Sequence, residues 1–333
     1  MDHWSRRQFV QRVGVAGLAL LAACGRLPGQ TPPKVPRIGY LASSTRAGPG
    51  GISGEAFRQG LREHGYVEGQ NIVIDWRTSD VAIDRLPDLA SELVELQPDV
   101  LVAATTPPAL ALKEKTYHIP IVVANAADPI GVGLVVSLAR PGSNVTGLSQ
   151  LTRGVTGKRI ELLKDTVPGI QRVAALWNQV NPASALDLQE LQDAAAALGV
   201  QVQSLPVRSA EEIEAAFEAA TREHADALVT LPEPLFAPDS PLLGLALRYR
   251  LPAIFPNTDA ARAGGLMAYG PSFVALYRRA AYYVDRILKG AKPADLPIEQ
   301  PREFDFVINL KTARALGLTM PEHVLLQATE VIQ

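Results

Sequence analysis

The sequence predicts an α/β protein of two doubly wound, Rossmann-like lobes, each built on a parallel sheet, with a ligand cleft between them. First, short apolar runs alternate with helical segments of about 10 to 15 residues, which is typical of parallel strands covered by helices on both faces. Second, this alternation occurs twice, on either side of a loop at residues 140–144 that contains Pro and Gly. Third, about 310 residues follow residue 23, which is enough for two domains of ordinary size.

The first series of elements begins at Arg37 and contains four short apolar runs that we interpret as strands. Gly65 and Pro98 follow the first two helical segments and end them. The predicted strands are Arg37–Ala42, Asn71–Trp76, Val100–Ala104 and Ile121–Ala124, and the predicted helices are Gly54–His64, Leu86–Leu96 and Ala109–Thr116.

The second series repeats this pattern from Val155 onward. Its predicted helices are Val155–Thr166, Ala183–Leu198, Ala210–His224 and Leu242–Tyr249, and its predicted strands are Arg172–Trp177, Val200–Val207, Ala227–Leu231 and Ala253–Phe255. The C-terminal part contains more elements than two simple lobes require, so we expect it to cross back between them. Its predicted elements are a helix at Phe273–Lys289, a Pro-rich connector, a strand at Phe304–Ile308 and a helix at Leu310–Leu316. We therefore assign residues 37–150 with about 266–295 to lobe 1, and residues 151–265 with about 298–333 to lobe 2.

Residues 1–23 have the features of an export signal rather than of a folded element. Arg6 and Arg7 form a twin-arginine pair, and the apolar run of about eleven residues from Val13 is too short to span a bilayer. Small residues precede Cys24, the single cysteine, as in a lipobox. We expect cleavage before Cys24, lipid on its thiol and a spacer over residues 24–36. The exported chain would face the periplasm or the cell exterior, reached by the twin-arginine or the general secretory route.

Composition and motifs argue against several classes of function. The chain is 47% apolar and 20% charged with a formal net charge of −2, and it has no cluster of Lys and Arg, so nucleic acid is not an expected partner. Its five histidines form no metal-spaced pair, and no Gly-x-Ser-x-Gly motif occurs. The stretch Gly48–Gly51 lacks a following Gly-Lys-Ser/Thr and indicates a flexible loop. We expect no catalytic residue, no metal and no cofactor.

Polar side chains follow the predicted strands at the edge where an open parallel sheet binds its ligands. Each also suits an ordinary helix cap, which contributes about 1 kcal/mol, but their convergence on one edge favours a binding site. Aromatic side chains near the strand ends suit either stacking on a ligand or packing in the core. The candidate ligand-binding residues are Tyr40, Ser43, Ser44, Thr105, Thr106, Asn125, Asp128, Trp177, Asn178, Glu233, Asn257 and Tyr269.

Two of these groups suggest a zwitterionic ligand such as an amino acid. Free N–H groups of a helix that begins after Thr105 and Thr106 would attract a carboxylate. Asp128, across the cleft, would pair with an ammonium group. An enzyme in the cleft stays an alternative, for which Asp128 with Glu233 is the acid–base pair that we would nominate.

Six stretches of the chain carry a family resemblance: Ala56–Leu61, Gly65–Asn71, Ser137–Gly147, Gly157–Arg159, Gly264–Gly270 and Val307–Ala313. In this order they resemble the ABC-transporter substrate-binding proteins of the tryptophan/tyrosine type, over nearly all of residues 37–333. Thr105–Ala109 and Ala127–Pro129 depart from the family's Gly-Thr-Pro-Ala and Gly-Asp-Pro turns, and Trp177 stands where a smaller residue is common. These departures leave the identity of the ligand open.

The resemblance implies two lobes of the type I periplasmic-binding-protein architecture, joined by three crossings. It also implies capture of a small-molecule ligand by hinge closure and delivery to the membrane subunits of an ABC permease. On this interpretation the protein is a monomer, held at the membrane by its lipid anchor. A tethered module that reports its ligand to a signalling protein would share these features and stays an alternative.

Overall fold

A computed structural model describes residues 34–150 and 154–333, and it has two sheets, each covered by helices on both faces. The predicted export signal and Cys24 lie outside the described residues. The predicted two-lobed α/β architecture is confirmed by this arrangement.

The first sheet has five strands in the order β2-β1-β3-β4-β5, and all its pairs are parallel. Its strands are β1 (Arg37–Ala42), β2 (Val73–Thr78), β3 (Val100–Ala103), β4 (Ile121–Ala126) and β5 (Val145–Ser149), and the helices between them are α1 (Ile52–Glu63), α2 (Leu86–Glu95) and α3 (Thr106–Lys115). Every residue of β3 and β4 is buried because helices cover both faces, which explains why β3 is apolar throughout and β4 is apolar except for Asn125. The sequence prediction did not include β5, whose Thr146 and Gly147 interrupt its apolar pattern.

The second sheet has seven strands in the order β12-β11-β10-β9-β8-β6-β7, with β10 and β11 antiparallel and the other pairs parallel. Its strands are β6 (Arg172–Asn178), β7 (Gln201–Val207), β8 (Ala227–Thr230), β9 (Ala253–Phe255), β10 (Met267–Gly270), β11 (Asp305–Asn309) and β12 (Glu330–Ile332). The helices of this part of the chain are α4 (Val155–Thr166), α5 (Pro182–Ala197), α6 (Ile213–Arg222), α7 (Leu242–Arg248), α8 (Thr258–Arg262), α9 (Phe273–Leu288), α10 (Leu310–Ala315) and α11 (Glu322–Leu325).

Helix α9 packs on the first sheet, although it follows most of the second sheet in sequence. Its buried face, which includes Tyr277 and Ala281, shares one apolar core with Tyr40 and Phe57. The hydroxyl of Tyr277 donates to the carbonyl oxygen of Ala104 at 3.1 Å, which fixes α9 to the end of β3. Lobe 1 is therefore built from two separate parts of the chain.

The boundary before α9 differs from the one that we expected. Residues from about 266 were assigned to lobe 1, but β10 pairs with β9 and β11 in the second sheet. Leu266 and Met267 continue the apolar core of that sheet, so the chain leaves it only after Gly270. Ser272 then starts α9, because its hydroxyl accepts a hydrogen bond from the N–H of Ala275 at 3.3 Å.

The chain crosses between the sheets three times: between β5 and α4, between β10 and α9, and between α9 and β11. The last crossing lies along β5. There the N–H of Glu299 donates to the carbonyl oxygen of Gly147 at 3.0 Å, and the N–H of Ser149 donates to that of Glu299 at 2.9 Å. Loops that follow strands of both sheets line one cavity.

Candidate ligand-binding site

A cavity lies between the two sheets, at the carboxyl ends of their strands, and it encloses about 850 Å³ when the space open to solvent is included. Lobe 1 lines it with Ser43, Ser44, Arg46, Ala47, Ser53, Thr105, Thr106, Pro107, Asn125, Ala127, Gln150, Phe273 and Tyr277, and lobe 2 with Asn181, Pro232, Glu233, Pro234, Phe236, Ala237, Phe255, Pro256, Asn257 and Ala260.

Hydroxyl groups form much of the polar wall of lobe 1. The Oγ of Ser43, which follows β1, lies 3.3 Å from the Oγ1 of Thr105, which follows β3. These neighbouring strands bring the two hydroxyls together, because the carboxyl ends of parallel strands meet at one edge. The Oγ1 of Thr106 accepts from the N–H of Ala127 at 2.9 Å, which ties the end of β3 to the end of β4. Ser43 and Thr105 thus present paired hydroxyl groups that suit a carboxylate.

The N-terminus of α3 offers fewer backbone donors than we expected. Pro107 and Pro108 occupy its first turn and carry no N–H. The N–H of Ala109 is already bonded to the carbonyl oxygen of Thr105 at 3.2 Å. Only Thr106 in this turn retains an available N–H, so a carboxylate here would depend chiefly on the side-chain hydroxyls.

Asn125, near the end of β4, adds an amide to this wall of the cavity. Its side chain is only 6% exposed, and within the described residues its Oδ1 has no hydrogen-bond partner. A buried amide oxygen without a partner is costly, because it has lost its water. Asn125 is therefore prepared to bond a polar group of a ligand.

Glu233 provides an acidic group on the opposite wall. It follows β8 in the loop that begins at Pro232, and its Oε2 accepts from the Nδ2 of Asn181 at 2.8 Å. Asn181 also caps α5, since its Oδ1 accepts from the N–H of Ala183 at 3.1 Å. Burial raises the pKa of Glu233, and hydrogen bonds from Asn181 and Asn178 oppose that shift. An ammonium group in the cavity would complete the environment of this carboxylate.

Aromatic side chains from both lobes supply the apolar surface of the cavity. Phe236 and Phe255 come from lobe 2, and Phe273 and Tyr277 come from the first turns of α9. The hydroxyl of Tyr277 already donates to the carbonyl oxygen of Ala104, so this residue contributes its ring rather than its hydroxyl to the cavity. The arrangement suits a small molecule with charged groups at one part and an apolar or aromatic group at another.

The described parts of the chain contain no group of three or more His, Cys, Asp or Glu residues placed to hold a metal ion. Within the same residues, no helix is both long and apolar enough to cross a membrane.

Comparison with known proteins identifies the family. The family profile described as ABC transporter substrate binding protein matches residues 52–332. The chain belongs to this family. It is 26% identical over 265 residues to a tyrosine-binding protein of Clostridioides difficile, covering 79% of this chain and 76% of the relative. The protein is thus an extracytoplasmic substrate-binding component of an ABC transporter.

Two solved structures support the same assignment. A Streptococcus pneumonia ABC domain in complex with L-Trp has a TM-score of 0.82 and 29% identity, covering 89% of this chain and 99% of that one. A conserved domain protein of Vibrio cholerae also has a TM-score of 0.82, with 30% identity over 90% of this chain and 100% of that one. The type I periplasmic-binding-protein architecture implied by the sequence resemblance is confirmed.

Seven of the twelve candidate residues line the cavity of this substrate-binding protein: Ser43, Ser44, Thr105, Thr106, Asn125, Glu233 and Asn257. They share this position because each lies at or just beyond the carboxyl end of a strand that faces the cleft. The other five, Tyr40, Asp128, Trp177, Asn178 and Tyr269, lie outside the lining.

Asp128 is placed in a tight turn rather than toward the cavity. Its Oδ1 accepts from the N–H of Gly131 at 3.0 Å, and its φ is 29°. Among the described residues that line the cavity, Glu233 is the acidic one. Asn178 lies outside the lining, and its hydrogen bond to Glu233 opposes the rise that burial causes in the pKa of that carboxyl group.

The remaining aromatic candidates pack within their own lobes. The Nε1 of Trp177 donates to the Oγ of Ser204 on β7 at 2.9 Å, away from the cleft. The ring of Tyr269 stacks on that of Phe304, with centroids 6.1 Å apart. Trp177 and Tyr269 are partly buried and pack against the apolar core of the second sheet, which is the alternative that we considered for these rings.

Tyr40 is buried in the core of lobe 1, where its ring lies 4.3 Å from that of Trp76 between centroids. Its hydroxyl has no hydrogen-bond partner within the described residues. We expect Tyr40→Phe to raise the free energy of unfolding by about 1 kcal/mol, since it removes an unsatisfied buried group. Tyr277→Phe should lower it by a similar amount, because that hydroxyl is bonded. Urea unfolding measures both; a loss of stability in Tyr40→Phe would contradict this assignment.

The sequence candidates omitted several residues of the lining. Arg46 and Ser53 lie in the loop and the first helical turn after β1, and that position was the signal by which the sequence could have indicated them. Asn181 has the same Asn cap signal as Asn257. Gln150 follows β5, which was not predicted, and α9 comes from a distant part of the chain, so no local signal places Gln150, Phe273 or Tyr277 at the cleft.

Proposed function

We propose that this protein captures an amino acid with an aromatic side chain and delivers it to a membrane permease. The observation that carries the proposal is the opposed polarity of the two walls. Lobe 2 presents the Glu233 carboxylate, held by Asn181 at 2.8 Å. Lobe 1 presents the Ser43 and Thr105 hydroxyls and the Asn125 amide. An ammonium group suits the first wall and a carboxylate suits the second.

The aromatic lining of the cavity favours a ligand with an aromatic side chain. Phe236 and Phe255 on one lobe and Phe273 and Tyr277 on the other could enclose a ring, which gains by stacking as well as by burial. The names of two similar proteins agree with this interpretation, since one binds tyrosine and the other is described in complex with L-Trp. Both are aromatic amino acids.

A ligand that bridges the walls would also drive closure. It contacts both lobes only when they are together, so its binding free energy favours the closed state. This role needs no catalysis, and we propose that the protein is not an enzyme. We further propose that it acts as a monomer, with lipid on Cys24 holding it near its permease.

Isothermal titration calorimetry of the detergent-solubilised protein tests the ligand class. We expect L-tryptophan or L-tyrosine to bind, and L-leucine to bind more weakly because it has no ring to stack. Tryptamine lacks the carboxylate and indole-3-propionate lacks the ammonium group. Each should bind roughly 100-fold more weakly, since each leaves buried polar groups of the site without a partner.

Two results would oppose the proposal. If indole-3-propionate bound as tightly as L-tryptophan, the ammonium subsite at Glu233 would be wrong. If none of the amino acids bound, the proposed ligand class would be wrong as a whole.

A further inference from the structure

Arg46 spans the cleft. It lies in the short turn after β1, and it carries the one basic side chain among the described residues that line the cavity. Its Nη2 donates to the Oδ2 of Asp259 at 3.0 Å. Asp259 is in the first turn of α8, which belongs to the second sheet. This ion pair therefore joins lobe 1 to lobe 2 at the edge of the ligand cavity.

Asp259 is held firmly by its own lobe. Its N–H donates to the Oδ1 of Asn257, the cap of α8, at 3.0 Å. Its Oδ1 lies 3.3 Å from the Nη1 of Arg262, and Arg262 in turn pairs with Glu330 at 2.7 Å. One carboxylate oxygen thus faces a cation of lobe 2, and the other faces the cation of lobe 1.

We propose that Arg46 is a positioning residue that favours the closed state through Asp259, and that it does not anchor the carboxylate of the ligand. The guanidinium of Arg46 is already paired with the Asp259 carboxylate. The carboxylate of the ligand would therefore be bound by the hydroxyl and amide groups of lobe 1. Both side chains are partly shielded from water, at 27% and 22% exposure, which reduces the loss of the interaction to solvent. The inference rests on the proposed function only in its choice of L-tryptophan as the ligand probe, because the ion pair itself is observed in the structure.

The pair acts on affinity through the population of closed molecules. Ligand binds the closed form, so the apparent dissociation constant rises as the closed fraction falls. Removal of either partner of the pair should raise that constant to a similar extent. If Arg46 instead turned to bind the ligand carboxylate, removal of Asp259 would release it and would strengthen binding or leave it unchanged. The effect of the Asp259 substitution therefore separates the two roles by its sign.

A double-mutant cycle with Arg46→Gln and Asp259→Asn tests this assignment, with L-tryptophan as the calorimetric probe. We expect each single variant to bind about fivefold more weakly than the wild type. The double variant should bind no more weakly than either single variant, because both remove the same interaction. The difference in affinity between the wild type and each single variant should be smaller in 0.5 M NaCl, where the screening length is on the order of 4 Å, because the ion pair is partly exposed. Arg262→Gln is the matched control: it also removes a cation from Asp259, but within lobe 2, and it should leave affinity within twofold.

Small-angle X-ray scattering of the unliganded proteins provides a readout that does not depend on the ligand. We expect a larger radius of gyration for Arg46→Gln and Asp259→Asn than for the wild type and Arg262→Gln. The proposal is overturned if Asp259→Asn binds tryptophan as well as or better than the wild type while Arg46→Gln binds it less well. It is also overturned if neither single variant changes the scattering. Failure of the wild type to bind any amino acid would oppose the proposed ligand, and the scattering comparison would still decide the role of Arg46.

Discussion

We expect Glu233→Gln to bind L-tryptophan roughly 30- to 150-fold more weakly than the wild type, the loss that follows when a charge-assisted hydrogen bond of about 2 to 3 kcal/mol is removed. Glutamine preserves the shape of the side chain and can still accept the hydrogen bond from Asn181. It removes only the negative charge that we assign to the ammonium group of the ligand. Calorimetry at pH 7 measures the change.

The same assignment predicts how affinity depends on pH. Burial raises the pKa of Glu233, so its protonation begins at a higher pH than that of an exposed glutamate. Only the ionised form attracts an ammonium group, and the affinity of the wild type should therefore fall as the pH falls through this pKa. Glu233→Gln should show no such dependence over the same interval.

The stability of the unliganded protein should depend on pH in the opposite direction from the affinity. A carboxyl whose pKa is raised by folding takes up a proton more readily in the folded state, so its contribution to stability is lost as the pH rises through that pKa. Glu233→Gln should therefore raise the melting temperature of the free protein at pH 7. Glu214→Gln, on the exposed surface of α6 beside Arg248, is the control and should change neither property. Unchanged affinity in Glu233→Gln would refute the ammonium subsite.

The second large effect is expected at Arg159, in the Gly157–Arg159 stretch of the family resemblance. Arg159 is only 2% exposed, and its Nε donates to the carbonyl oxygen of Tyr269 at 2.8 Å. Burial lowers its pKa to about 10 and the neighbouring Asp187 opposes that shift, so the guanidinium is charged at neutral pH. We expect Arg159→Ala to lower the free energy of unfolding by about 3 to 5 kcal/mol, because it leaves the buried Asp187 carboxylate without this cation.

Urea unfolding at pH 7 tests this expectation. The double variant Arg159→Met with Asp187→Leu should recover most of the lost stability, since an apolar pair of similar volume removes both buried charges. Arg248→Ala is the exposed control: the Arg248 side chain is 66% exposed beside Glu214, and its loss should cost less than about 1 kcal/mol. If Arg159→Ala lost as little as Arg248→Ala, the buried charge would not be important for the stability of lobe 2.

The sequence predicted nine of the twelve strands in the described part of the chain, because most strands of both sheets have strong local signals. The buried parallel strand β3 is a continuous apolar run, β4 is apolar except for Asn125, and Gly65 and Pro98 follow the first two helices. The sequence did not predict β5, β10 or β12. β5 carries Gly147 with a φ of 134°, and an added Cβ there would lie 2.1 Å from the carbonyl oxygen of Val123. The glycine is required by close packing against β4, and it also weakens the local strand pattern.

The sequence indicated residues of the cavity lining where position along one strand was sufficient. Ser43, Thr105 and Glu233 come just after strands and Asn125 lies near the end of β4, so the topology alone brings them to the cleft. The direction of a side chain within a turn is not encoded in this way. Asp128 follows β4 as closely as these residues follow their strands, yet its carboxylate bonds Gly131 in its own turn. Contacts between lobes, such as that of Arg46 with Asp259, depend on how two separate sheets approach each other, and no local pattern reports them.

The placement of α9 has a consequence for biosynthesis. One face of the first sheet is covered by α1 together with α9, whose residues 273–288 are made only after the strands β6 to β10 of the other lobe. Until those residues emerge, Tyr40 and Phe57 lack part of their apolar surroundings. A nascent chain that ends before α9 therefore exposes apolar surface in its first half, which is a hazard for aggregation until residue 288 has emerged. The core of lobe 1 is thus completed only after the strands β6 to β10 of lobe 2 have been made.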